Sequence, residues 1–242
     1  MVAPAVANGL VVFDYDWSLI NDDSDFFVFQ QLQPAVLEEF AHLVHDGAPL
    51  TKAVDDALGR LTCTKETLVE VMARVPVQPG MVDAVRLAHE KGWDVAIVSD
   101  ANTVYIQSML AHHQLTSIIS QVFTNPSSFQ GDRLRVSPFH SAERPPHGCP
   151  RCPSNMCKGA ILKHLKSCHS YGKVLYVGDG EGDYCPTTSQ LSSHDVVFAR
   201  EGCELLRRIR ADPVTARVVP WSTGLDILAG FHCHLNIESA SR

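Results

Sequence analysis

The sequence predicts an α/β protein with a doubly wound parallel sheet. Three short apolar runs, GLVVFD, GWDVAIVSD and KVLYVGD, are continuously hydrophobic, as strands buried on both faces are. Amphipathic helical segments separate these runs, and this alternation is typical of a doubly wound sheet. Two further apolar runs, DVVFA at 195–199 and ARVVP at 216–220, are expected to extend the sheet.

Three segments have the periodicity of helices that pack on such a sheet. The segment MVDAVRLAHEKG has most of its apolar residues on one face and reaches a helix stop at Gly92. The segments CKGAILKHLKSCH and EGCELLRRIR have a similar pattern. The last of them carries a basic cluster, Arg207, Arg208 and Arg210, which we interpret as a solvated helix face.

The alternation is interrupted after the first strand. PAVLEEFAHLVHDG, LTKAVDDALGRL and TKETLVEVMARV are amphipathic helical segments with no convincing strand among them. We predict that residues 23–78 form a small helical cap inserted after the first strand, and that residues 1–22 and 79–242 form the α/β core. Residues 124–156 are rich in turn-forming types and are expected to be irregular.

Composition and charge argue against several classes of partner. The 242-residue chain has a net charge of −7 and a pI near 5.9, which disfavours nucleic acid or an anionic membrane as its main partner. No apolar run approaches the roughly 18–20 residues that span a bilayer, and the segment MVAPAVANGL lacks the basic residues of a signal peptide. We therefore expect a cytoplasmic protein whose eight cysteines are thiols or metal ligands rather than disulfides. The sequence leaves the oligomeric state open.

Polar residues end each of the three best-predicted strands. The first strand ends at Asp14, the second at Ser99 and Asp100, and the third at Asp179. Because ligands bind beyond the carboxyl ends of the strands in open α/β sheets, we expect these side chains to converge. The segment LVVFDYDWSLINDDSD adds further aspartates at the first strand end, and so much negative charge beside a buried strand requires a bound cation.

These residue types suit metal-assisted chemistry on a phosphate. Asp14 and Asp16 stand two apart, so that one carboxylate could attack an electrophile while the other transfers protons. The glycines of GDGEGD allow a tight turn that presents Asp179 and Asp183, and these oxygen ligands suit Mg²⁺. Lys158 could hold a phosphoryl oxygen. Each motif alone could be a solvated turn or a calcium loop, but the ordered set does not arise easily by chance.

The ordered set of DxD, SD, Lys and GDxxxD resembles the four motifs of the haloacid dehalogenase superfamily of aspartyl phosphatases. The segments SDANT, FTNP, HGCPRCPSNMCKG, YVGDGEGDYCP and VVPWSTGLDIL are similar to the phosphoethanolamine/phosphocholine phosphatase family. That family also includes pyridoxal phosphate phosphatases and plant relatives that act on pyrophosphate or thiamine monophosphate. The resemblance runs from about residue 10 to 230 and is weakest in the predicted cap.

The resemblance implies catalytic roles for Asp14, Asp16, Ser99 and Lys158. Asp14 is then the nucleophile that forms an aspartyl-phosphate, and Asp16 protonates the leaving alcohol and afterwards activates the hydrolytic water. Ser99 hydrogen-bonds the phosphoryl group, and Lys158 steadies the nucleophile and the phosphate. An acid at Asp16 favours phosphate-ester chemistry over the dehalogenase branch, which lacks one there.

The resemblance also implies a Mg²⁺ site formed by four aspartates. Asp14, Asp179 and the backbone carbonyl of Asp16 bind the ion, and Asp183 holds it directly or through water. These charges make chemical sense, because the anionic Asp14 can approach a phosphate dianion only if cations screen the repulsion.

The chain departs from the family's usual pattern at one motif. The family reads DFD followed one residue later by Thr, whereas this chain reads DYDWS. Ser18 keeps a hydroxyl at the Thr position, so the loop contact can survive. Trp17 is bulkier than the usual residue and is expected to alter the entrance and the choice of substrate.

Two further aspartates, Asp25 and Asp100, are candidate substrate-binding residues. They match positions that the resemblance assigns to binding a cationic head group, and Trp17, Phe26 or Phe27 could add cation–π attraction. In the alternative interpretation, Asp25 caps the following helix and Asp100 hydrogen-bonds the motif loop. Thiamine monophosphate is also cationic beyond its phosphate, so charge alone does not choose the substrate.

The segment HGCPRCPSNMCK indicates a possible second metal site. Cys149, Cys152, Cys157 and His147 fit a structural zinc site, which would hold the loop that delivers Lys158. The alternative is a set of free thiols beside the active site.

From the sequence we thus predict a Mg²⁺-dependent phosphatase with a Rossmann-like core and a helical cap. Its expected partner is a small soluble phosphate ester, phosphocholine, phosphoethanolamine or another cationic substrate. The enzymatic alternatives are a phosphatase of pyridoxal phosphate, thiamine monophosphate or pyrophosphate and, less in keeping with the motifs, a phosphomutase or phosphotransferase. The non-enzymatic alternative is a zinc-stabilised binding protein of the same fold.

Overall fold

A parallel sheet forms the centre of the structure, a computed structural model that describes residues 7–141 and 147–235. The strands are β1 (Leu10–Phe13), β2 (Asp94–Asn102), β3 (Ile119–Asn125), β4 (Ser127–Gln130), β5 (Arg133–Val136), β6 (Val174–Gly178), β7 (Val196–Arg200) and β8 (Arg217–Trp221). Six of them form the sheet in the order β3-β2-β1-β6-β7-β8, with every neighbouring pair parallel. The predicted doubly wound α/β fold is confirmed.

Helices connect the strands and cover the sheet. They are α1 (Ser24–Leu32), α2 (Pro34–His45), α3 (Leu50–Leu58), α4 (Lys65–Met72), α5 (Met81–Glu90), α6 (Thr103–His112), α7 (Lys158–Cys168), α8 (Tyr184–Ser189), α9 (Glu204–Ala211) and α10 (Gly224–His234). None of these helices has the length and apolar character needed to cross a bilayer.

Alternate residues of the central strand β1 enter two separate hydrophobic clusters. Val11 and Phe13 point into the larger cluster, which contains apolar residues of α5, α6 and α10. Leu10 and Val12 point to the opposite face, where α7, α8 and α9 pack. Both faces are therefore buried, which explains why β1 is continuously apolar rather than alternating.

Four helices, α1–α4, lie within the segment predicted as the cap. The three amphipathic segments predicted there correspond to α2, α3 and α4, and the sequence prediction missed α1. Asp23 is the N-cap residue of α1, and its side chain accepts a hydrogen bond from Phe26 N at 2.9 Å. Asp25 therefore lies in the first turn of α1 and is not its N-cap residue, contrary to the alternative interpretation of its role.

The stretch predicted to be irregular contains regular structure. Residues 124–156 include the hairpin β4–β5, and Arg135 of this hairpin donates to the Asp55 carboxylate of α3 from Nε, at 2.9 and 3.2 Å, and from Nη2, at 2.8 Å. Val136 N also donates to Asp55, at 2.9 Å. Although burial opposes it, these contacts hold the pKa of Asp55 below its usual range. The hairpin thereby connects the sheet with the helices that follow β1.

Candidate active site

The C-terminal end of β1 delivers Asp14 to the edge of the sheet. Asp14 N donates to Val177 O at 2.9 Å, so β1 and β6 stay paired up to the point where the chain turns. A tight turn over Tyr15–Leu19 follows, with Trp17 in the left-handed region at a φ of 53°. Tyr15 N donates to Asp14 Oδ1 at 2.7 Å, and this bond orients a carboxylate that is almost fully buried.

Lys158 opens α7 and lies between two buried carboxylates. Its Nζ is 2.8 Å from Asp14 Oδ2 and 2.9 Å from Asp183 Oδ1, and only 4% of the residue is exposed. Burial alone would lower the pKa of Lys158, but the Asp14 and Asp183 carboxylates raise it well above its ordinary value. The site therefore contains a permanently charged ammonium in contact with the predicted nucleophile.

Asp183 is fully buried, and each of its two carboxylate oxygens accepts two hydrogen bonds. Oδ1 accepts from Lys158 Nζ at 2.9 Å and from the Tyr176 hydroxyl at 2.7 Å. Oδ2 accepts from the backbone N–H groups of Asp179 and Gly180 at 3.1 and 3.0 Å. Its oxygens are thus committed within the protein, which favours contact with a metal ion through water rather than directly.

The carboxylates of Asp14, Asp179 and Asp183 form a cluster in which one oxygen of each lies within 4.8 Å of the others. Burial and the Asp183 charge raise the pKa of Asp14 well above its usual range, and the same two causes raise that of Asp179 to about 7. When all three carboxylates are ionised, they carry two negative charges more than the Lys158 ammonium offsets, and one divalent cation would neutralise that excess. The donor set is entirely oxygen, as Mg²⁺ requires. The residues present therefore fit this ion.

Ser18 contacts the carboxylate cluster from the turn after β1. Its hydroxyl donates to Asp179 Oδ1 at 3.1 Å, so the loop contact expected of this hydroxyl is present.

Asp16 lies apart from this carboxylate cluster. Its Oδ1 accepts a hydrogen bond from Ser24 N, at the start of α1, at 2.9 Å. Burial raises the pKa of Asp16 well above its usual range, and the neighbouring Asp23 and Asp25 charges add to the effect. The carboxyl group is thus held beside Asp14 but separate from it, in surroundings that favour its protonated form.

Ser99 lies near the C-terminal end of β2 with 1% of its surface exposed. Its Oγ accepts a hydrogen bond from Ala101 N at 3.1 Å, which leaves its own O–H to donate. This arrangement suits the role of a donor to a phosphoryl oxygen.

Asp25 and Asp100 line one small pocket between α1, α3 and the end of β2. Burial and the neighbouring Asp23 charge raise the pKa of the Asp25 carboxyl well above its usual range, although the nearby Tyr105 hydroxyl acts in the opposite direction. Asp100 Oδ1 accepts from Asn155 Nδ2 at 2.6 Å, and Asp100 O accepts from Asn125 Nδ2 at 2.5 Å. Asp100 therefore also holds the motif loop, as the alternative interpretation expected.

Asp100 also lines a larger cavity of about 810 Å³. Residues of α3, of the segment after the hairpin and of the cysteine-rich segment line it, including Thr51, Ser137 and Asn155. A cavity of this size lies within the range of small-molecule sites.

Trp17 is not among the residues that line the small pocket or the larger cavity. Its ring lies 5.5 Å from the Arg200 guanidinium, which is also 5.1 Å from the Trp221 ring. Arg200 donates to Trp17 O and, at 2.6 Å, to Asn21 Oδ1. Phe26 packs edge-on against Phe40. Arg200 thus anchors the turn after β1, a role that the sequence analysis missed because its partners are more than 170 residues away.

Four cysteines converge beside the start of α7, and they differ from the predicted set in one member. The thiols of Cys149, Cys152, Cys157 and Cys185 lie within 4.8 Å of one another. His147 is outside the cluster, and Cys185 takes the place expected for it.

Comparisons with known proteins find relatives over most of the chain. The family described as Putative Phosphatase matches residues 9–232. A "Thiamine phosphate phosphatase-like protein" of Arabidopsis thaliana is 33% identical over 228 residues, covering 90% of this chain and 91% of that protein. "Inorganic pyrophosphatase 2" of the same plant is 33% identical, covering 91% and 81%. The human "Pyridoxal phosphate phosphatase PHOSPHO2" is 32% identical, covering 91% and 95%.

Solved structures share the fold at low sequence identity. A substrate-bound phosphoserine phosphatase has a TM-score of 0.62 at 13% identity, covering 92% of this chain and 98% of that one. A hydrolase from Salmonella enterica serovar Typhi has a TM-score of 0.64 at 17% identity, covering 98% and 74%.

Proposed function

Because the chain belongs to the Putative Phosphatase family and is a phosphatase of the haloacid dehalogenase type, we propose that it hydrolyses small phosphomonoesters through an aspartyl-phosphate on Asp14. The observation that carries this proposal is the surroundings of Asp14. Its buried carboxylate lies at the end of β1, 2.8 Å from Lys158 Nζ, in a carboxylate cluster that suits a divalent cation.

The two half-reactions use the residues at the ends of β1 and β2. An Asp14 oxygen attacks phosphorus and the ester P–O bond breaks, while Asp16 gives its proton to the leaving oxygen. A water molecule then loses a proton to the Asp16 carboxylate and attacks phosphorus, so that the bond to Asp14 breaks and inorganic phosphate leaves. Ser99 donates to a phosphoryl oxygen throughout, and Lys158 orients Asp14.

Asp14, Asp179 and the Asp16 carbonyl would hold Mg²⁺, with Asp183 acting through water. The ion, when bound, supplies positive charge that allows the carboxylate and the phosphate dianion to approach one another. The protein itself holds the Asp183 carboxylate and the Lys158 ammonium in place next to the position where the ion would bind.

We propose further that the preferred substrate carries positive charge beyond its phosphate. Asp100 lines both the small pocket that contains Asp25 and the larger cavity of about 810 Å³, and negative charge there would attract an ammonium or thiazolium group and repel a second phosphate. The name of the Arabidopsis thaliana thiamine phosphate phosphatase-like relative fits this class. Phosphocholine and phosphoethanolamine fit it equally by charge.

Phosphate release from a substrate panel tests the proposal. The panel contains thiamine monophosphate, phosphocholine, phosphoethanolamine, pyridoxal phosphate and pyrophosphate, each with Mg²⁺ and with EDTA. We expect Mg²⁺-dependent turnover with the highest kcat/KM for one of the first three. A higher kcat/KM for pyrophosphate would overturn the proposal that the preferred substrate carries positive charge beyond its phosphate. A folded protein that hydrolyses no member of the panel would contradict the proposed substrate class.

A further inference from the structure

The four cysteines beside α7 form a set that the active site does not use, and we propose that they bind one structural zinc ion. Cys149 and Cys152 come from the loop before α7, Cys157 immediately precedes it, and Cys185 lies in the first turn of α8. The proposal is independent of the substrate and of the Mg²⁺ site.

The sulfur–sulfur distances match a tetrahedral thiolate site. Cys185 Sγ lies 3.7 Å from Cys149 Sγ and 3.9 Å from Cys157 Sγ. A tetrahedron with Zn–S bonds of about 2.3 Å has edges of about 3.8 Å. A disulfide would instead require about 2.05 Å. All four thiols lie within 4.8 Å of one another, so one ion can contact them all.

The backbone around the cluster is adapted to sulfur ligands. Ala160 N donates to Cys157 Sγ at 3.4 Å. A Cβ at Gly159 would lie 2.7 Å from Cys185 Sγ, so a larger residue there would displace the thiol. Backbone N–H donors to ligand atoms are typical of the outer sphere of metal sites.

His147 has contacts that exclude it from the ligand set. Its Nδ1 accepts a hydrogen bond from Cys149 N at 3.1 Å, and its Nε2 lies 2.9 Å from Pro153 O. The neutral ring with its proton on Nε2 satisfies both contacts at once. His147 thus supports the loop that carries Cys149, and Cys185 is the fourth ligand in its place.

The proposed zinc site joins the start of α7, which carries Lys158, to the segment that carries Asp183. These two residues form the ion pair next to Asp14. Cys157 immediately precedes Lys158, and Cys185 follows Asp183 by two residues. Four protein ligands leave no open position for water or substrate, as in structural zinc sites. The ion therefore fixes the start of α7 against the start of α8 and holds Lys158 on Asp183.

Metal analysis of the full-length protein tests the proposal. We expect elemental mass spectrometry to find about one zinc per chain after dialysis against metal-free buffer, because four thiolates complete the coordination of a single zinc ion. Cys185→Ser should lose the zinc, whereas His147→Ala and the exposed-thiol control Cys168→Ser should keep it. Cobalt substitution of the wild-type chain should give the intense thiolate-to-cobalt charge-transfer bands of a four-sulfur tetrahedral site.

Two results would overturn the proposal. One is a folded wild-type chain without zinc that binds no cobalt through sulfur, with its clustered thiols freely reactive or paired as disulfides. The other is loss of zinc in His147→Ala but not in Cys185→Ser, which would refute the ligand set. If Cys185→Ser does not fold, the zinc content and cobalt spectrum of the wild-type chain still decide whether the site exists, and those of His147→Ala decide whether His147 is a ligand.

Discussion

Replacing Lys158 with methionine tests how the buried charges at the active site are balanced. Methionine has a similar length and no charge, so the change leaves the Asp14 and Asp183 carboxylates buried without their ammonium partner. Removing one partner of a buried ion pair costs about 3–5 kcal/mol. We expect a loss of this size in the free energy of unfolding in EDTA, with a smaller loss in saturating Mg²⁺, because a bound cation replaces part of the missing charge.

The activity of Lys158→Met should fall as well. Loss of one preorganised charge-stabilising group costs about 10²–10³ in kcat. Urea denaturation in EDTA and in Mg²⁺, together with phosphate release, measures both effects.

Lys166→Met on the same helix is the matched control. Lys166 Nζ makes one hydrogen bond, to Gln190 O at 2.7 Å, and its loss should cost about 1 kcal/mol without changing kcat. If Lys158→Met is as stable as this control in EDTA and turns over at the wild-type rate, the proposed charge balance is wrong.

Two other changes separate substrate binding from metal binding. Asp25→Asn combined with Asp100→Asn should lower kcat/KM for the cationic substrates by about a hundredfold or more, since each of the two lost charge contacts is worth about 1.4 kcal/mol or more. The same variant should change kcat/KM little for pyrophosphate, and equal losses for both substrates would place both residues in the core machinery. Ser18→Ala removes a hydrogen bond to the charged Asp179, worth about 1.5–3 kcal/mol, so half-maximal activity should need about tenfold more Mg²⁺. Ser18→Thr should keep the wild-type Mg²⁺ requirement, and the idea fails if the alanine variant keeps it too.

The strands that position the site were predictable because strands buried on both faces are continuously apolar in sequence. β1, β2 and β6 are continuously apolar and end at polar residues, and β7 and β8 have the same apolar character. Strand β3, at the sheet edge, was missed because ISQVFTN mixes polar and apolar residues without clear alternation. Helix α1 was missed because SDFFVFQQL has no amphipathic pattern and contains β-preferring residues.

The residues of the candidate site were predictable where a motif and a strand end coincide. Asp14, Asp179, Asp183 and Lys158 meet as expected, although no local pattern shows that both oxygens of Asp183 are committed to the protein. Contacts between distant segments could not be predicted. Cys185 joins cysteines that precede it by 28 residues or more, and a nearby histidine was the more obvious fourth ligand.

Trapping of the phosphoenzyme is the most direct test of the central claim. Enzyme mixed with radiolabelled substrate and Mg²⁺, quenched with acid during turnover and digested, should carry label on the peptide that contains Asp14. Hydroxylamine should remove that label, because it cleaves acyl phosphates, and Asp14→Asn should acquire none while keeping its fold. Absence of label in a wild-type enzyme that is turning over, together with normal hydrolysis by Asp14→Asn, would contradict the account.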